Sequence, residues 1–204
     1  MIAYGITALK SDGLRDWNEG IKEEIWTEAP HNQVHIDNYL QWAPAAAVYG
    51  LNLAGIHGEH NFRDRTIIYG ITLLIQSSVV ASVKSISGET RPNGAGTASF
   101  PSGHTANAFA GAEFLRREYK DVSPWYGIAG YAAAATTGFL RIYNNKHWLS
   151  DVVAGAGVGI LSTDLAYYIY PTVKRIFSKK HPLSTIIMPV YENGTLGVGL
   201  VHAF

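Results

Sequence analysis

Apolar side chains are grouped in blocks of helical length along most of this chain. The segment 11–29 is polar overall, and its apolar residues recur at helical spacing, at Leu14, Trp17, Ile21 and Ile25. This spacing predicts an amphipathic helix that begins near Ser11 and Asp12 and turns its apolar stripe to a core or a lipid surface. Apolar segments follow at 43–56, 66–83, 104–115, 125–140 and 152–170. The pattern predicts an all-α fold, a bundle of about five to six helices.

Length and charge bear on whether these helices cross a membrane. The segment 66–83 carries no charge, and it approaches the roughly 20 residues that a bilayer crossing needs. The other segments are shorter, rich in small residues, or interrupted by Glu113 and Asp164. Hydropathy alone therefore leaves a membrane-embedded bundle and a soluble helical bundle both open.

The placement of basic residues favours the membrane-embedded bundle. They fall in alternate connections: Arg63 and Arg65, then Arg116, Arg117 and Lys120, then Lys174, Arg175, Lys179 and Lys180. Cytoplasmic loops of membrane proteins carry an excess of Lys and Arg, so these three connections are predicted to share the cytoplasmic side. The connections 84–101 and 141–146 would then lie together on the extracytoplasmic side.

The two ends of the chain differ from the helical region between them. Residues 1–9 are apolar and lack a basic stretch before them, so they do not resemble a signal peptide. They fit the end of a hydrophobic helix that begins before residue 1, or an ordinary buried terminus. After Pro182, two apolar runs flank Asn193 and Gly194, which predicts a hairpin. We expect a helical domain at 1–181 and a short β-like tail at 182–204.

Composition limits the classes of function. Lys plus Arg equals Asp plus Glu at 16 each, so no global field attracts the chain to nucleic acid. The chain has no cysteine, which excludes disulfides, thiolate metal sites and a cysteine nucleophile. Any specificity for an anion must therefore be local.

Candidate chemistry is concentrated in three segments at predicted helix ends. They are K-S-I-S-G-E-T-R-P from residue 84, P-S-G-H from residue 101, and R-I-Y-N-N-K-H-W-L-S-D from residue 141. A tetrahedral oxyanion needs several charge-assisted donors, so Lys84, Arg91 and Arg141 form a candidate phosphate clamp. Ser102 and Gly103 precede a predicted helix whose free N–H groups favour an anion.

Two histidines and a carboxylate complete the candidate site. Asp151 follows His147 by four positions, so in a helix the two share a face and the carboxylate accepts the imidazole N–H. The other ring nitrogen of His147 is then a candidate nucleophile. His104 is a candidate to protonate the leaving oxygen and later to activate water.

Together the three segments resemble the signature of the type 2 phosphatidic acid phosphatase and vanadium haloperoxidase superfamily. That signature is K-x6-R-P, P-S-G-H and S-R-x5-H-x3-D, and the chain matches its order and spacings. The resemblance implies that phosphate is bound by Lys84, Arg91, Ser102, Gly103 and Arg141. It implies catalytic roles for His147 as nucleophile, His104 as general acid and Asp151 as the group that orients His147. The chain departs from the signature at Leu140, where the family usually has serine.

The resemblance implies a bacterial membrane-type member, a metal-independent phosphatase that hydrolyses a lipid phosphate or lipid diphosphate through a phosphohistidine. The expected location is the cell membrane, with the active site facing the periplasm. A soluble periplasmic acid phosphatase of broad specificity is the alternative, followed by a vanadium haloperoxidase and a non-catalytic membrane scaffold. We expect a phosphorylated lipid as substrate, no cofactor and no nucleic-acid partner, while the identity of the lipid and the oligomeric state stay open.

The remaining motifs predict structural roles. Two histidine pairs have spacings that could suit a metal, and they are His31 with His35 and His57 with His60. No carboxylate or cysteine spacing completes either pair, so we expect no metal site. Gly155 and Gly159 form a small-xxx-small pattern, which is typical of close helix packing.

Overall fold

The computed structural model describes residues 1–177, 185–192 and 195–202. These residues form eight α-helices, a π-helical segment and two strands. The elements are α1 (Ile2–Ala8), α2 (Asp12–Lys22), the π-helical segment (Glu23–Thr27), α3 (Asp37–Leu40), α4 (Ala43–Leu53), α5 (Phe62–Ser87), α6 (Gly103–Tyr119), α7 (Pro124–Tyr143), α8 (Leu149–Phe177), β1 (Thr185–Glu192) and β2 (Thr195–His202). The chain divides into a first unit, 1–168, and a second unit, 169–204, and each is described by itself.

The predicted all-α fold is confirmed, with more helices than predicted. The six predicted segments correspond to α2 with its π-helical continuation and to α4, α5, α6, α7 and α8. The described chain adds α1 and α3, which have only seven and four residues. Helices this short contain one or two turns, so they leave too little periodicity for a pattern to detect.

The second unit contains the hairpin that the sequence predicts. β1 and β2 pair antiparallel, with Thr185 opposite His202. The boundary between a domain at 1–181 and a tail at 182–204 stays a prediction. Five residues used in the sequence predictions lie outside the described residues, and they are Lys179, Lys180, Pro182, Asn193 and Gly194.

The ends of the central helices are set by capping residues. α5 begins after Asn61, whose side chain accepts a backbone N–H of the first turn, and ends at Gly88 in the left-handed conformation with φ 58°. Such positions favour glycine because it has no Cβ. α6 begins after Ser102 and α7 begins after Ser123, with Pro124 in its first turn. These boundaries place the candidate residues at helix ends or in the connections beside them.

Helix α6 is the centre of the first unit. It packs against α4, α5 and α7, and its buried side includes Ala106 and Ala110. α8 also lies against α6, because a Cβ at Gly155 would lie 2.5 Å from the Ser102 carbonyl oxygen and one at Gly159 would overlap the Ala106 carbonyl. The predicted packing role of Gly155 and Gly159 is therefore confirmed.

Two helices are long and apolar enough to cross a membrane. They are Phe62–Ser87 and Leu149–Ile176, and only 22% of the most apolar stretch of the first is buried. Large apolar side chains are exposed around the helical surface, among them Leu74, Ile128, Phe139 and Leu161. Soluble monomers rarely expose large contiguous apolar patches, so these features are those of a membrane-embedded bundle.

Two basic residues, Arg65 and Arg117, form ion pairs with carboxylates of α6 and α8. Arg65 is 1% exposed and lies within the N-terminal turn of α5, with Nε 3.7 Å from Glu118 Oε2. Arg117 binds Glu113 at 3.0 Å and Asp164 at 2.5 Å. The prediction that Arg65 and Arg117 lie in connections is wrong, because Arg65 lies in α5 and Arg117 lies in α6. Both side chains are partners in ion pairs. Their positions carry less information about membrane orientation than the sequence pattern suggested.

Candidate active site

His147 and Asp151 form a buried pair at the start of α8. His147 Nδ1 lies 3.2 Å from Asp151 Oδ2, and the two residues are 3% and 0% exposed. Only Asp151 is helical, because α8 begins at Leu149 and His147 precedes it. The pair forms because Asp151, in the first turn, reaches back past the helix start.

The position of the Asp151 carboxylate is fixed by groups other than the histidine. Its Oδ2 accepts the backbone N–H of Trp148 at 3.0 Å and the hydroxyl of Ser99 at 2.5 Å. A carboxylate at the third helical position that binds the N–H of the capping residue is half of a capping box. The carboxylate is also favoured by the positive end of the helix dipole. These contacts fix the Asp151 carboxylate as a hydrogen-bond acceptor, and the imidazole of His147 orients toward it.

The hydrogen bond to Asp151 sets the form of the imidazole. Because a carboxylate accepts, Nδ1 of His147 carries the proton and Nε2 keeps its lone pair. Burial lowers the pKa of His147, the bond and charge of Asp151 oppose this, and the charges of Arg141 and Lys84 lower it further. The free site therefore holds a neutral imidazole with one unprotonated nitrogen at pH 7.

Lys84 lies in the last turn of α5, and its side chain contacts the loop that follows this helix. Its Nζ donates to the carbonyl oxygens of Ala98 at 2.5 Å and Ser99 at 3.1 Å. Ser99 is the residue whose hydroxyl binds Asp151. Lys84 thus positions the loop segment that supports the histidine pair, and brings its charge close to His147.

Arg141 lies in the last turn of α7, and Arg91 lies in the loop between α5 and α6. Arg141 Nη1 donates to Asp37 Oδ2 at 2.6 Å, and the Asp37 side chain is fully buried. Burial lowers the pKa of Arg141, Asp37 opposes this, and the charge of Arg91 lowers it further. The two guanidinium groups are therefore close enough to interact without being paired to each other.

Ser102, Gly103 and His104 form the start of α6. The Ser102 hydroxyl accepts the Thr105 hydroxyl at 2.9 Å, and the Ser102 N–H donates to the Asp151 carbonyl at 3.0 Å. This backbone bond joins the start of α6 to the start of α8. The free N–H groups of the first turn lie at the positive end of α6, which is the end that favours an anion.

His104 is held by a residue of α3. Its Nε2 lies 3.0 Å from Asn38 Oδ1. Burial lowers the pKa of His104 to about 4, with the charge of Arg141 as a further cause and Asp37 opposing. Without an anion in the site, His104 is therefore neutral at pH 7.

The sequence of the chain matches a known protein family. Residues 65–175 match the PAP2 superfamily. The chain belongs to the PAP2 superfamily. The matched residues include all eight candidate site residues, and the family prediction made from the three segments is confirmed.

A curated relative and two solved structures resemble this PAP2 protein. It is 38% identical over 159 residues to the lipid A 1-phosphatase of Porphyromonas gingivalis, which covers 78% of this chain and 36% of that protein. The chain thus spans about a third of that relative's length. Its fold resembles LpxE of Aquifex aeolicus, with a TM-score of 0.56, 21% identity and coverage of 74% of this chain and 95% of that one. It also resembles a transmembrane PAP2 type phosphatidylglycerolphosphate phosphatase of Bacillus subtilis, with a TM-score of 0.61, 21% identity and coverage of 85% and 94%.

Three residues of the PAP2 site were missed by the sequence reasoning. They are Asp37, which binds Arg141, Asn38, which contacts His104, and Ser99, which binds Asp151. Asp37 and Asn38 stand in a short polar stretch without a motif, far in sequence from their partners. Ser99 lies two residues before the P-S-G-H segment, and that proximity was the one available signal.

The loop before α3 is fixed to the α7 end by an asparagine. The Asn144 side chain donates to the Val34 carbonyl at 2.8 Å and accepts the Val34 N–H at 2.8 Å. The Asn144 side-chain amide thus binds both backbone polar groups of Val34, as a neighbouring strand would. These two bonds hold the segment before α3 against the end of α7. Asn144 therefore supports the placement of Asp37 and Asn38 at the site.

The histidine pairs outside the site serve structural contacts. His31 stacks on Tyr143 with ring centroids 3.7 Å apart, and His60 Nδ1 lies 2.8 Å from Glu118 Oε1. Among the described residues, no group of three His, Asp or Glu side chains is placed to hold a metal ion.

Proposed function

We propose that this PAP2 protein hydrolyses a phosphate ester of a lipid through a phosphohistidine at His147. The observation that carries the proposal is the buried His147–Asp151 pair, which leaves Nε2 unprotonated beside the charges of Arg141 and Lys84. A neutral, oriented imidazole among cations is suited to attack a phosphorus atom that carries negative oxygens.

In the first step, the lone pair of His147 Nε2 attacks phosphorus, and the bond between phosphorus and the lipid oxygen breaks. The positive charge that develops on the imidazole is stabilised by Asp151. Arg91, Arg141, Lys84 and the first-turn N–H groups of α6 bind the phosphoryl oxygens. The leaving oxygen takes a proton from His104.

The lowered pKa of His104 is compatible with that role once substrate binds. A phosphate in the cradle places negative charge against Arg141, whose positive charge helps to lower the pKa of His104. The anion offsets that charge and favours the protonated imidazole. In the second step, His104 takes a proton from water, the water oxygen bonds to phosphorus, the N–P bond breaks and inorganic phosphate leaves.

The lipid and the membrane location are inferred from three observations. Two described helices are long and apolar enough to cross a membrane, the relative in Porphyromonas gingivalis is a lipid A 1-phosphatase, and a neighbour in fold is a transmembrane phosphatidylglycerolphosphate phosphatase. We infer a phosphorylated lipid substrate, with lipid A carrying a 1-phosphate as the first candidate. The catalytic end faces the periplasm in this proposal.

A phosphate-release panel tests the proposal. The detergent-solubilised protein is assayed on lipid A 1-phosphate, phosphatidylglycerophosphate, phosphatidic acid and a soluble ester, with wild type, His147→Ala and His57→Ala. His57 is exposed and lies outside the site, so it is the matched control. We expect His147→Ala to lower the rate on the preferred lipid by on the order of 10⁴ or more, with His57→Ala near wild type. Wild-type turnover by His147→Ala would contradict the mechanism.

A further inference from the structure

Helix α2 contacts the protein along the edge between its apolar and polar sides. Of the apolar stripe predicted to face a core or a lipid surface, Leu14, Ile21 and Ile25 are partly buried and Trp17 is 54% exposed. Asn18, beside this stripe, is 7% exposed. Arg15, Asn18, Glu19 and Lys22 are three or four positions apart and therefore share one side of the helix. Arg15 and Glu19 are exposed, and the buried amide of Asn18 needs hydrogen-bond partners.

Asn18 and Lys22 contact the segment that carries the proposed catalytic histidine. Asn18 Nδ2 donates to Ser150 Oγ at 2.9 Å, and the Ser150 N–H donates to Asn18 Oδ1 at 3.3 Å. Lys22 Nζ lies 5.6 Å from the centroid of the Trp148 ring. Both contacts reach residues that are direct neighbours of His147 and Asp151 in the chain, so α2 is fixed beside the reaction centre.

A cavity of about 270 Å³ lies between α2, the loop after α5 and the start of α8. The residues that define its chemistry are Arg15, Glu19, Glu89, Thr90, Trp148 and Ser150. The Trp148 indole N–H donates to the Thr90 carbonyl at 2.8 Å, which joins two of the walls. The cavity is therefore formed by hydrogen-bonded elements rather than by loosely packed side chains.

This cavity is lined by chain neighbours of the phosphate-site residues. Trp148 and Ser150 lie between His147 and Asp151 in the chain, and Thr90 precedes Arg91. Burial raises the pKa of Glu89, the charge of Asp151 raises it further and Arg15 opposes both. The Glu89 carboxyl thus lies within electrostatic reach of the catalytic carboxylate. A ligand bound to the phosphate cradle has the cavity beside it.

The charges in the cavity select against a second phosphate. Glu19 and Glu89 supply two carboxyl groups, and Arg15 supplies one guanidinium group. The cavity therefore offers little net electrostatic attraction to an anion. Hydroxyl and amino groups can donate to the carboxyl oxygens and accept from the guanidinium, and an indole ring such as that of Trp148 offers an apolar edge. The volume is near the lower end of the range for small-molecule sites, about 300–1,000 Å³, and suits one ring-sized group.

We propose that this cavity is a head-group subsite that takes the sugar ring to which the scissile phosphate is attached. The inference rests on the proposed phosphatase function and narrows its substrates to lipids whose phosphate is carried by a sugar. A head group without a ring, such as acylated glycerol, leaves the subsite unused.

The test compares an acylated sugar 1-phosphate with phosphatidic acid in the same detergent micelles. KM and kcat are measured for wild type, Glu19→Ala, Glu89→Gln and the control Glu23→Ala. Glu23 is an exposed residue of the π-helical segment outside the cavity. Loss of a hydrogen bond to a charged group weakens binding about tenfold. We expect Glu19→Ala and Glu89→Gln each to raise KM for the sugar phosphate by about that factor, so that the preference for it over phosphatidic acid falls. Glu23→Ala should keep the wild-type preference.

Binding without turnover separates this inference from the proposed function. The dissociation constant of the same acylated sugar 1-phosphate is measured on His147→Ala and on the double variant with Glu19→Ala. A dissociation constant about tenfold higher for the double variant than for His147→Ala supports the subsite. This holds even if wild type releases no phosphate, because that result would contradict only the proposed phosphatase function. Equal dissociation constants, or equal changes of KM for both lipids, would overturn the subsite.

Discussion

Asp37 is the buried residue on which the position of Arg141 depends. Its Oδ2 binds Arg141 Nη1 at 2.6 Å, and its side chain is fully buried. A buried guanidinium needs a partner because an isolated charge is costly to bury. Asp37 does not touch the reacting atoms in the proposed mechanism, so it is a positioning residue.

Replacing Asp37 with Asn removes the charge that holds Arg141 and keeps the side-chain shape. We expect kcat/KM to fall by about 10–100-fold, and inhibition by inorganic phosphate to weaken, because Arg141 loses its fixed orientation. Asp121→Asn is the matched control, since Asp121 is exposed and lies in the turn after α6. An unchanged inhibition constant for phosphate, at unchanged thermal stability, would show that Asp37 does not position Arg141.

Single residues were predictable where the chemistry depends on local spacing. His147 and Asp151 are four positions apart, and the contact between them forms even though only Asp151 is helical. Asp37, Asn38 and Ser99 were not predictable, because their contacts depend on how α3 and the loop before α6 pack in three dimensions. A single sequence holds no spacing signal for partners separated by 52 to 104 positions.

The contact between α6 and α8 sets the geometry of the site at the level of the helices. Gly159 lies so close to α6 that a Cβ would overlap the Ala106 carbonyl and lie 2.8 Å from the Ala110 nitrogen. Near one end of the same contact, the Ser102 N–H binds the Asp151 carbonyl. The distance between the two helices therefore fixes the start of α6 relative to the catalytic pair.

Gly159→Ala is expected to force α6 and α8 apart. Overpacking of this kind costs about 1–3 kcal/mol, so the unfolding midpoint in detergent should fall and phosphate release should fall with it. Gly70→Ala is the matched control, because Gly70 is a glycine of α5 with open space where its Cβ would lie. If Gly159→Ala is as stable and active as Gly70→Ala, close packing of α8 on α6 is not what positions the site.

Long helices were predictable and short ones were not. α5, α6, α7 and α8 each have 17 or more residues, which is enough for composition and caps to identify them. α3 has four residues, yet it supplies Asp37 and Asn38. The element that the pattern could not detect therefore contributes two of the contacts that organise the site.

The whole molecule combines a membrane-type helical bundle with the proposed phosphate site, whose residues lie at the ends of four helices or in the connections beside them. Fold class and family were predictable, because three linked motifs in order are specific and apolar helices dominate the chain. Orientation was harder to predict from charge. Arg65 and Arg117 lie in α5 and α6 and pair with the buried carboxylates of Glu118 and Glu113, and Arg117 also pairs with Asp164 of α8. These basic residues therefore do not mark a loop.

In the proposed mechanism, His147 carries the phosphoryl group during turnover. The direct measurement is rapid quenching of the solubilised protein with a lipid phosphate under alkaline conditions, which preserve phosphohistidine, followed by mass spectrometry of the peptide that contains His147. We expect one added phosphoryl group on His147 in wild type and none in His147→Ala. Turnover by wild type with the phosphoryl group on another residue, or on none at any quench time, would contradict it.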